Sequence, residues 1–136
     1  PYRLRLLAQA MGIEKHVIPL GYIDEELKWL LFKSAKLFVY TSLFEGFGIP
    51  PIEAMSVGTP VIAFNKRPFN ETIGNAGLLV EPSIPELAKG MEALLSDMHL
   101  YQELSKRCLF RAMKYRPENV AMEFIKQVQR YVDHET

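Results

Sequence analysis

The chain has 136 residues, 49% of them apolar, which is enough for one domain with a sizeable core. Lys plus Arg and Asp plus Glu each total 16, so the balanced charge argues against nucleic acid and favours a small, near-neutral partner. The single cysteine excludes an internal disulfide, and the three scattered histidines lack metal-ligand spacing. No apolar run approaches the roughly 18 residues of a membrane span. We therefore expect a soluble protein of the reducing cytoplasm.

The first third of the chain predicts a helix, a strand and a second helix. Residues 2–12 carry apolar side chains at helical spacing and end at Gly12. The stretch "HVIPLGY" at 16–22 is β-branched enough to predict a short buried strand. Asp24 then opens a helix with acidic residues in its first turn, where the helix dipole favours them.

Three further apolar runs predict strands: "KLFVYTS" at 36–42, "TPVIAF" at 59–64 and "GLLVEP" at 77–82. Between the first two, residues 52–57 predict a short helix that Gly58 ends in the left-handed conformation. Alternation of short apolar strands with helices is typical of an α/β fold, here a Rossmann-like parallel sheet flanked by helices.

The C-terminal third predicts three helices. Residues 83–86, "SIPE", have the form of a capping box that opens the first of them. Each helix carries an apolar stripe that we expect to be buried. These stripes are Leu87, Met91, Leu94 and Leu95 in the first; Leu100, Leu104 and Cys108 in the second; and Val120, Phe124, Ile125, Val128 and Tyr131 in the third.

A glycine- and proline-rich motif, "LFEGFGIPPIEAM" at 43–55, follows the strand at 36–42 directly. Ligands of open parallel sheets bind beyond the carboxyl ends of the strands, on such strand-to-helix loops. Gly46 and Gly48 leave no side chain in the way, so the amides of Phe47, Gly48 and Ile49 can approach a ligand's oxygens. The loop therefore predicts an anion site.

The two prolines of the motif set the expected start of the next helix. A proline keeps its predecessor out of the α region, so we expect Pro50 just outside the helix and Pro51 at its first position. Glu53 would then be the third helical residue. The positive end of this helix and the loop amides together predict a phosphate or diphosphate site without a metal.

Glu45 and Glu53 stand eight positions apart, on either side of the predicted anion site. Carboxylates accept hydrogen bonds from hydroxyls, so the combination suggests a ligand with phosphate and several hydroxyls, such as a nucleotide-sugar. Two plainer interpretations stay open: a dipole-favoured Glu53 beside a tight turn, and a dinucleotide fingerprint in which Pro51 replaces the third glycine. The chain has no D-x-D pair for a divalent cation, and we expect no metal and no cofactor.

The stretch "EGFGIPPIEAMSVGTPVIA" at 45–63 resembles the signature of the family 4 retaining glycosyltransferases of the GT-B fold, with an E-x7-E motif. "LGYIDEEL", "LFVYTSLFEGFG" and "ETIGNAGLLVEP" agree in family order, so the resemblance covers roughly residues 4–131. It implies that this chain is the C-terminal, donor-binding domain of a hexosyltransferase-type enzyme. The family's first strand-helix segment and its N-terminal, acceptor-binding domain would precede residue 1.

The resemblance also implies roles for individual residues. Glu45 would be the catalytic residue, close to the donor sugar's hydroxyls, while Glu53 would bind the ribose. The loop residues Gly46, Phe47, Gly48 and Ile49 would hold sugar and diphosphate oxygens. The nucleobase pocket would border Leu20, Gly21 and Tyr22.

The implied partners are a nucleotide-sugar donor, a saccharide or lipid-linked saccharide acceptor, and the chain's own N-terminal domain. The chain departs from the family pattern at Arg67 and at "NE", residues 70–71, where a glycine and a Pro-Glu pair are frequent. Lys66 and Arg67 either face the diphosphate or are solvated. Similarly, Arg107, Arg111 and Lys114 share a helical face that is either solvated or in peripheral contact with an anionic membrane.

Two other classes of function remain as alternatives. A nucleotide-sugar epimerase of the same fold would need additional acid-base residues around the site. A non-catalytic α/β binding module would need neither Glu45 nor Glu53.

Overall fold

A computed structural model describes residues 2–134 of the chain and the side chains of residues 2–132. Contacts divide the chain into two compact units, with the boundary between Leu31 and Phe32. That all 136 residues act as one donor-binding domain stays a prediction. The helices are α1 (Tyr2–Ala10), α2 (Glu25–Ser34), α3 (Ile49–Ser56), α4 (Phe69–Thr72), α5 (Ile84–Ser96), α6 (Met98–Met113) and α7 (Pro117–His134).

The smaller unit contains α1 and a 3₁₀ helix at Glu14–His16. The predicted strand at 16–22 is wrong, because residues 17–22 form irregular loop structure. Two residues explain the failure. Pro19 has no N–H for a strand ladder, and Gly21 has a φ of +70°, which interrupts an extended chain. Asp24 caps α2 as predicted, accepting a hydrogen bond from the Leu27 N–H at 2.8 Å.

The larger unit is built on a parallel sheet of three strands: β1 (Phe38–Tyr40), β2 (Val61–Phe64) and β3 (Leu78–Val80). The order is β1-β2-β3, with Tyr40 opposite Ala63 and Ala63 opposite Leu79. The predicted α/β fold and all three strands are thus confirmed. The central strand is the most buried, since Val61, Ile62 and Ala63 are inaccessible to solvent.

Helices pack against this sheet through the predicted apolar stripes of α5 and α6. Leu94 and Leu104 are buried with Ile62, and a ring of half-buried apolar residues surrounds them. Ser83 caps α5 as predicted, accepting from the Glu86 N–H at 3.3 Å. The prediction that Leu95 lies on the buried face of α5 is wrong, since this side chain is 55% exposed. Its position immediately after Leu94 rotates it about 100° away from the core.

The apolar stripe of α7 is exposed, contrary to the prediction that it is buried. The exposed fractions of its five side chains run from 45% at Val128 to 69% at Tyr131. The predicted helix is present and begins at Pro117. Helical spacing identifies an apolar face but does not say whether this chain alone covers it. Of the helices within residues 2–134, none has the length and hydropathy needed to cross a lipid bilayer.

Candidate functional site

The loop part of the motif, residues 43–48, lies where the sequence places it, between the carboxyl end of β1 at Tyr40 and the start of α3 at Ile49. Gly48 is the N-cap residue of α3, and its φ of +84° turns the chain from the loop into the helix. An added Cβ at Gly48 would come within 2.7 Å of Cε1 of the buried Phe69. Gly48 therefore needs to be glycine for two independent reasons, its backbone angle and its contact with Phe69.

Gly46 differs from Gly48 in both respects. Its φ is outside the positive range, and an added Cβ would meet no atom within 4 Å. Gly46 is exposed, so a side chain at this position would project into the space in front of the loop. A requirement for glycine here would come from a ligand rather than from the fold.

Helix α3 begins earlier than predicted. Its first residue is Ile49, so Pro50 and Pro51 are the second and third helical residues and Glu53 is the fifth, beyond the first turn. Both prolines fit there because the first amides of a helix have no intrahelical acceptor and their loss costs nothing. The prolines also remove two N–H donors from the helix terminus.

The remaining N–H donors are concentrated on the loop. Within residues 2–134, no backbone or side-chain group accepts a hydrogen bond from the N–H of Gly46, Phe47, Gly48 or Ile49. Four consecutive donors at the positive end of an eight-residue helix can hold an anion. The predicted anion site therefore relies on loop amides more than on the helix terminus.

Glu45 is half-buried immediately before these donors. Its Oε1 accepts a hydrogen bond of 2.8 Å from the phenol of Tyr40. Tyr40 is not among the site residues predicted from the sequence. The two-residue period of β1 puts Tyr40 on the same face as Phe38, whose ring stacks on it at 5.9 Å, but this period does not signal the hydrogen bond to Glu45.

Two aromatic contacts support the loop from distant parts of the chain, and sequence reasoning missed both. Phe69, behind Gly48, packs edge-on against Tyr40 with ring centroids 5.4 Å apart. Tyr115 packs edge-on against Phe47 at 5.5 Å, and its hydroxyl donates to the Thr72 carbonyl at 3.0 Å. No local pattern signals such contacts, since the partners are far apart in sequence.

The three arginines among the basic residues considered for the diphosphate or a membrane have other contacts. Arg67 forms an exposed ion pair with Glu71 at 3.2 Å. Arg111 donates to the Thr72 carbonyl at 3.0 Å and to the Glu71 carbonyl, while Arg107 donates to Glu103 and to the Asn75 carbonyl. The two α6 arginines therefore tie that helix to the α4 region. Contact of this face with a membrane stays a prediction.

The predicted nucleobase residues belong to the smaller unit. Leu20 is 52% exposed, Tyr22 is 98% exposed, and Gly21 has a positive φ. Their assignment, like the roles of Glu45 and Glu53, stays a prediction. Among the described residues, no cluster of three His, Cys, Asp or Glu side chains could hold a metal ion.

Comparison with known proteins identifies the family. The model of the family "Glycosyl transferases group 1" matches residues 1–108, and the chain belongs to this family. Its fold is that of the C-terminal domain of GT-B glycosyltransferases. The C-terminal domain of the glycosyl transferase group 1 family protein LpcC from Francisella tularensis matches 85% of this chain and 62% of its own length, with a TM-score of 0.75 and 29% identity.

Other similar proteins are much longer than this chain. O-antigen chain mannosyltransferase B of Escherichia coli is 35% identical over 107 residues, which are 78% of this chain and 28% of that protein. Alpha-1,3/1,6-mannosyltransferase ALG2 of Dictyostelium discoideum is 41% identical over 93 residues, which are 66% of this chain and 22% of that protein. The structure of sucrose-phosphate synthase from Thermosynechococcus elongatus matches 99% of this chain over 35% of its own length, with a TM-score of 0.83 and 29% identity.

Proposed function

We propose that this chain is the donor-binding part of a retaining glycosyltransferase that transfers a sugar from a nucleoside-diphosphate sugar to an acceptor hydroxyl. The observation that carries the proposal is the juxtaposition of the Glu45 carboxylate with the four donor amides of residues 46–49. Amides recognise phosphate oxygens, and a carboxylate recognises sugar hydroxyls. Family membership supports the same class of reaction.

The amides would act on the leaving group. As the bond from the anomeric carbon to the diphosphate breaks, negative charge develops on the diphosphate, and fixed N–H donors stabilise it without reorganisation. The N-terminus of α3 adds positive potential at the same place. We therefore expect transfer to proceed without an added divalent cation, and treatment with a chelator tests this directly.

Glu45 would orient the donor sugar and stabilise positive charge at the anomeric carbon. Glu53 would bind the ribose hydroxyls, and Leu20, Gly21 and Tyr22 would border the nucleobase. The acceptor, a saccharide or a lipid-linked saccharide, would be held by a separate N-terminal domain. Consistent with this, the chain spans only 28% and 22% of the two mannosyltransferases.

The test is a transfer assay on the full-length protein with a panel of labelled nucleoside-diphosphate sugars and a pool of saccharide acceptors. Because several relatives are named mannosyltransferases, mannose donors come first in the panel. We expect a glycoside whose anomeric configuration, read by nuclear magnetic resonance, equals that of the donor. An inverted product would contradict the retaining mechanism.

The same assay separates transfer from the alternatives. Conversion of the donor to a stereoisomeric nucleotide-sugar without an acceptor would identify an epimerase. Unchanged ligand affinity in the Glu45→Ala, Glu53→Ala double variant would favour a binding module. We also expect residues 1–136 alone to transfer no sugar, because transfer requires an acceptor held within about 3–3.5 Å of the reacting carbon.

A further inference from the structure

Tyr40 and Glu45 form a hydrogen bond directly at the candidate site. Tyr40 is the last residue of β1, and its phenol donates to Glu45 Oε1 at 2.8 Å. A carboxylate has two acceptor oxygens, so the bond leaves Oε2 available for a ligand. Of the described Lys, Arg and His side chains, none lies within ion-pair distance of the Glu45 carboxylate.

The phenol has a fixed position because its ring is held on two sides. Phe38 stacks on the Tyr40 ring at 5.9 Å with an interplanar angle of 25°. Phe69, which is fully buried, packs edge-on against the same ring at 5.4 Å. The backbone of Tyr40 pairs with Ala63 of the buried central strand. The hydroxyl is therefore anchored to the core, whereas Glu45 lies on a loop.

We propose that Tyr40 is a positioning residue that holds the Glu45 carboxylate in the orientation required to bind the donor sugar. This inference rests on the proposed function of Glu45. A glutamate side chain on a loop samples many rotamers, and ordering it before the ligand arrives lowers the entropic cost of binding. Tyr40 contacts Glu45 through Oε1, and the donor sugar would contact Oε2.

The phenol keeps its proton over the working range of the protein. Burial raises the pKa of Tyr40 above its ordinary value, and the hydrogen bond to Glu45 and the negative charge of Glu45 raise it further. At neutral pH the hydroxyl is therefore a hydrogen-bond donor, as the contact requires.

The experiment is a double-mutant cycle on the full-length protein with Tyr40→Phe, Glu45→Ala and the combination. Tyr40→Phe keeps the ring and both aromatic contacts and removes only the hydroxyl. Tyr101→Phe is the matched control, since Tyr101 is also half-buried but lies on α6. Calorimetry measures the affinity for the nucleotide-sugar and, separately, for the free nucleoside diphosphate, which has no sugar for Glu45 to contact.

We expect Tyr40→Phe to weaken nucleotide-sugar binding by about tenfold, close to the lower end of the effect of a hydrogen bond to a charged group. Its affinity for free diphosphate and its melting temperature should match those of Tyr101→Phe. In the Glu45→Ala background, Tyr40→Phe should have no further effect.

The alternative outcomes separate this inference from the proposed function. If Glu45→Ala weakens nucleotide-sugar binding but Tyr40→Phe has no effect or an additive one, Tyr40 is not a positioning residue and the proposed function stands. If Glu45→Ala also has no effect, both fail. A Tyr40→Phe protein that does not fold would assign the phenol to the core and overturn the inference.

Discussion

The ring of Phe69 lies behind Gly48 so closely that a single added Cβ on the glycine would come within 2.7 Å of the ring. Phe69 is fully buried and also packs against Tyr40, so it has little freedom to move away. The start of α3 and the candidate site loop are therefore fixed by the core of the larger unit.

Replacing the two loop glycines should separate folding from binding. Gly48→Ala combines a backbone angle unfavourable for alanine with a steric clash, and we expect it to lower stability by about 2 kcal/mol or more. Gly46→Ala should leave the melting temperature nearly unchanged, because its Cβ enters open space. If a phosphate approaches the loop, Gly46→Ala should nevertheless weaken diphosphate binding. Equal melting temperatures for the two variants would contradict the structural distinction.

Glu53→Ala should weaken binding of the nucleotide-sugar and of the free nucleoside diphosphate by a similar factor. Both ligands contain the ribose that Glu53 is proposed to contact. A loss of about 1.5–3 kcal/mol is expected for hydrogen bonds to a charged group. Titration calorimetry with both ligands measures it, and Glu118→Ala on the exposed start of α7 is a control. A loss confined to the nucleotide-sugar would show that Glu53 contacts the donor sugar rather than the ribose.

Tyr115 should support the loop through Phe47. Tyr115→Ala removes the edge contact with Phe47 and the hydrogen bond to Thr72, which together predict a loss of stability of about 1–3 kcal/mol and weaker ligand binding. Tyr115→Phe keeps the ring, so it should lose about 1 kcal/mol of stability and retain ligand affinity. Chemical denaturation and calorimetry measure the two effects. Equal ligand affinity in both variants would show that the contact with Phe47 does not support the site.

Because of Cys108, the stability of the protein should decrease as the pH rises in the alkaline range. Burial raises the pKa of this thiol to about 11, and its Sγ donates to the Ala76 carbonyl at 3.2 Å. Because the folded-state pKa lies above that of the unfolded chain, the stabilisation is complete below about pH 9 and is lost as pH rises towards 11.

Comparing denaturation of the parent protein and Cys108→Ala across this range isolates the cysteine from other alkaline titrations. The parent should lose about 2 kcal/mol more than the variant between pH 8 and pH 11, because one pKa unit corresponds to about 1.4 kcal/mol. Parallel pH profiles would contradict a buried, protonated thiol.

Much of the fold could be predicted because the decisive signals are local. The three strands are apolar runs of the right length, and Asp24 and Ser83 cap helices through bonds to residues three positions away. The strand expected at 16–22 failed because one proline and one left-handed glycine outweighed its β-branched composition. The prediction that the apolar stripe of α7 is buried failed for a different reason, since a helical period does not specify what covers the apolar face.

The sequence predicted the site residues that lie in one continuous segment, but not the contacts that distant segments make with them. Glu45 and the glycine loop lie in one segment, and their order places them at the end of β1. The groups that hold them, Phe69 and Tyr115, are brought there by tertiary packing. Tyr40 lies only five residues before Glu45. However, no sequence feature distinguishes a strand tyrosine that packs in the core from one that donates a hydrogen bond to the site.

The most direct measurement is a crystal structure of the full-length protein with a nucleoside-diphosphate sugar. We expect phosphate oxygens within about 3 Å of the N–H groups of residues 46–49, a sugar hydroxyl on Glu45 and the ribose on Glu53. Tyr40 should still donate to the same carboxylate. A nucleotide-sugar bound elsewhere, with the loop amides and Glu45 facing only solvent, would contradict the proposed site.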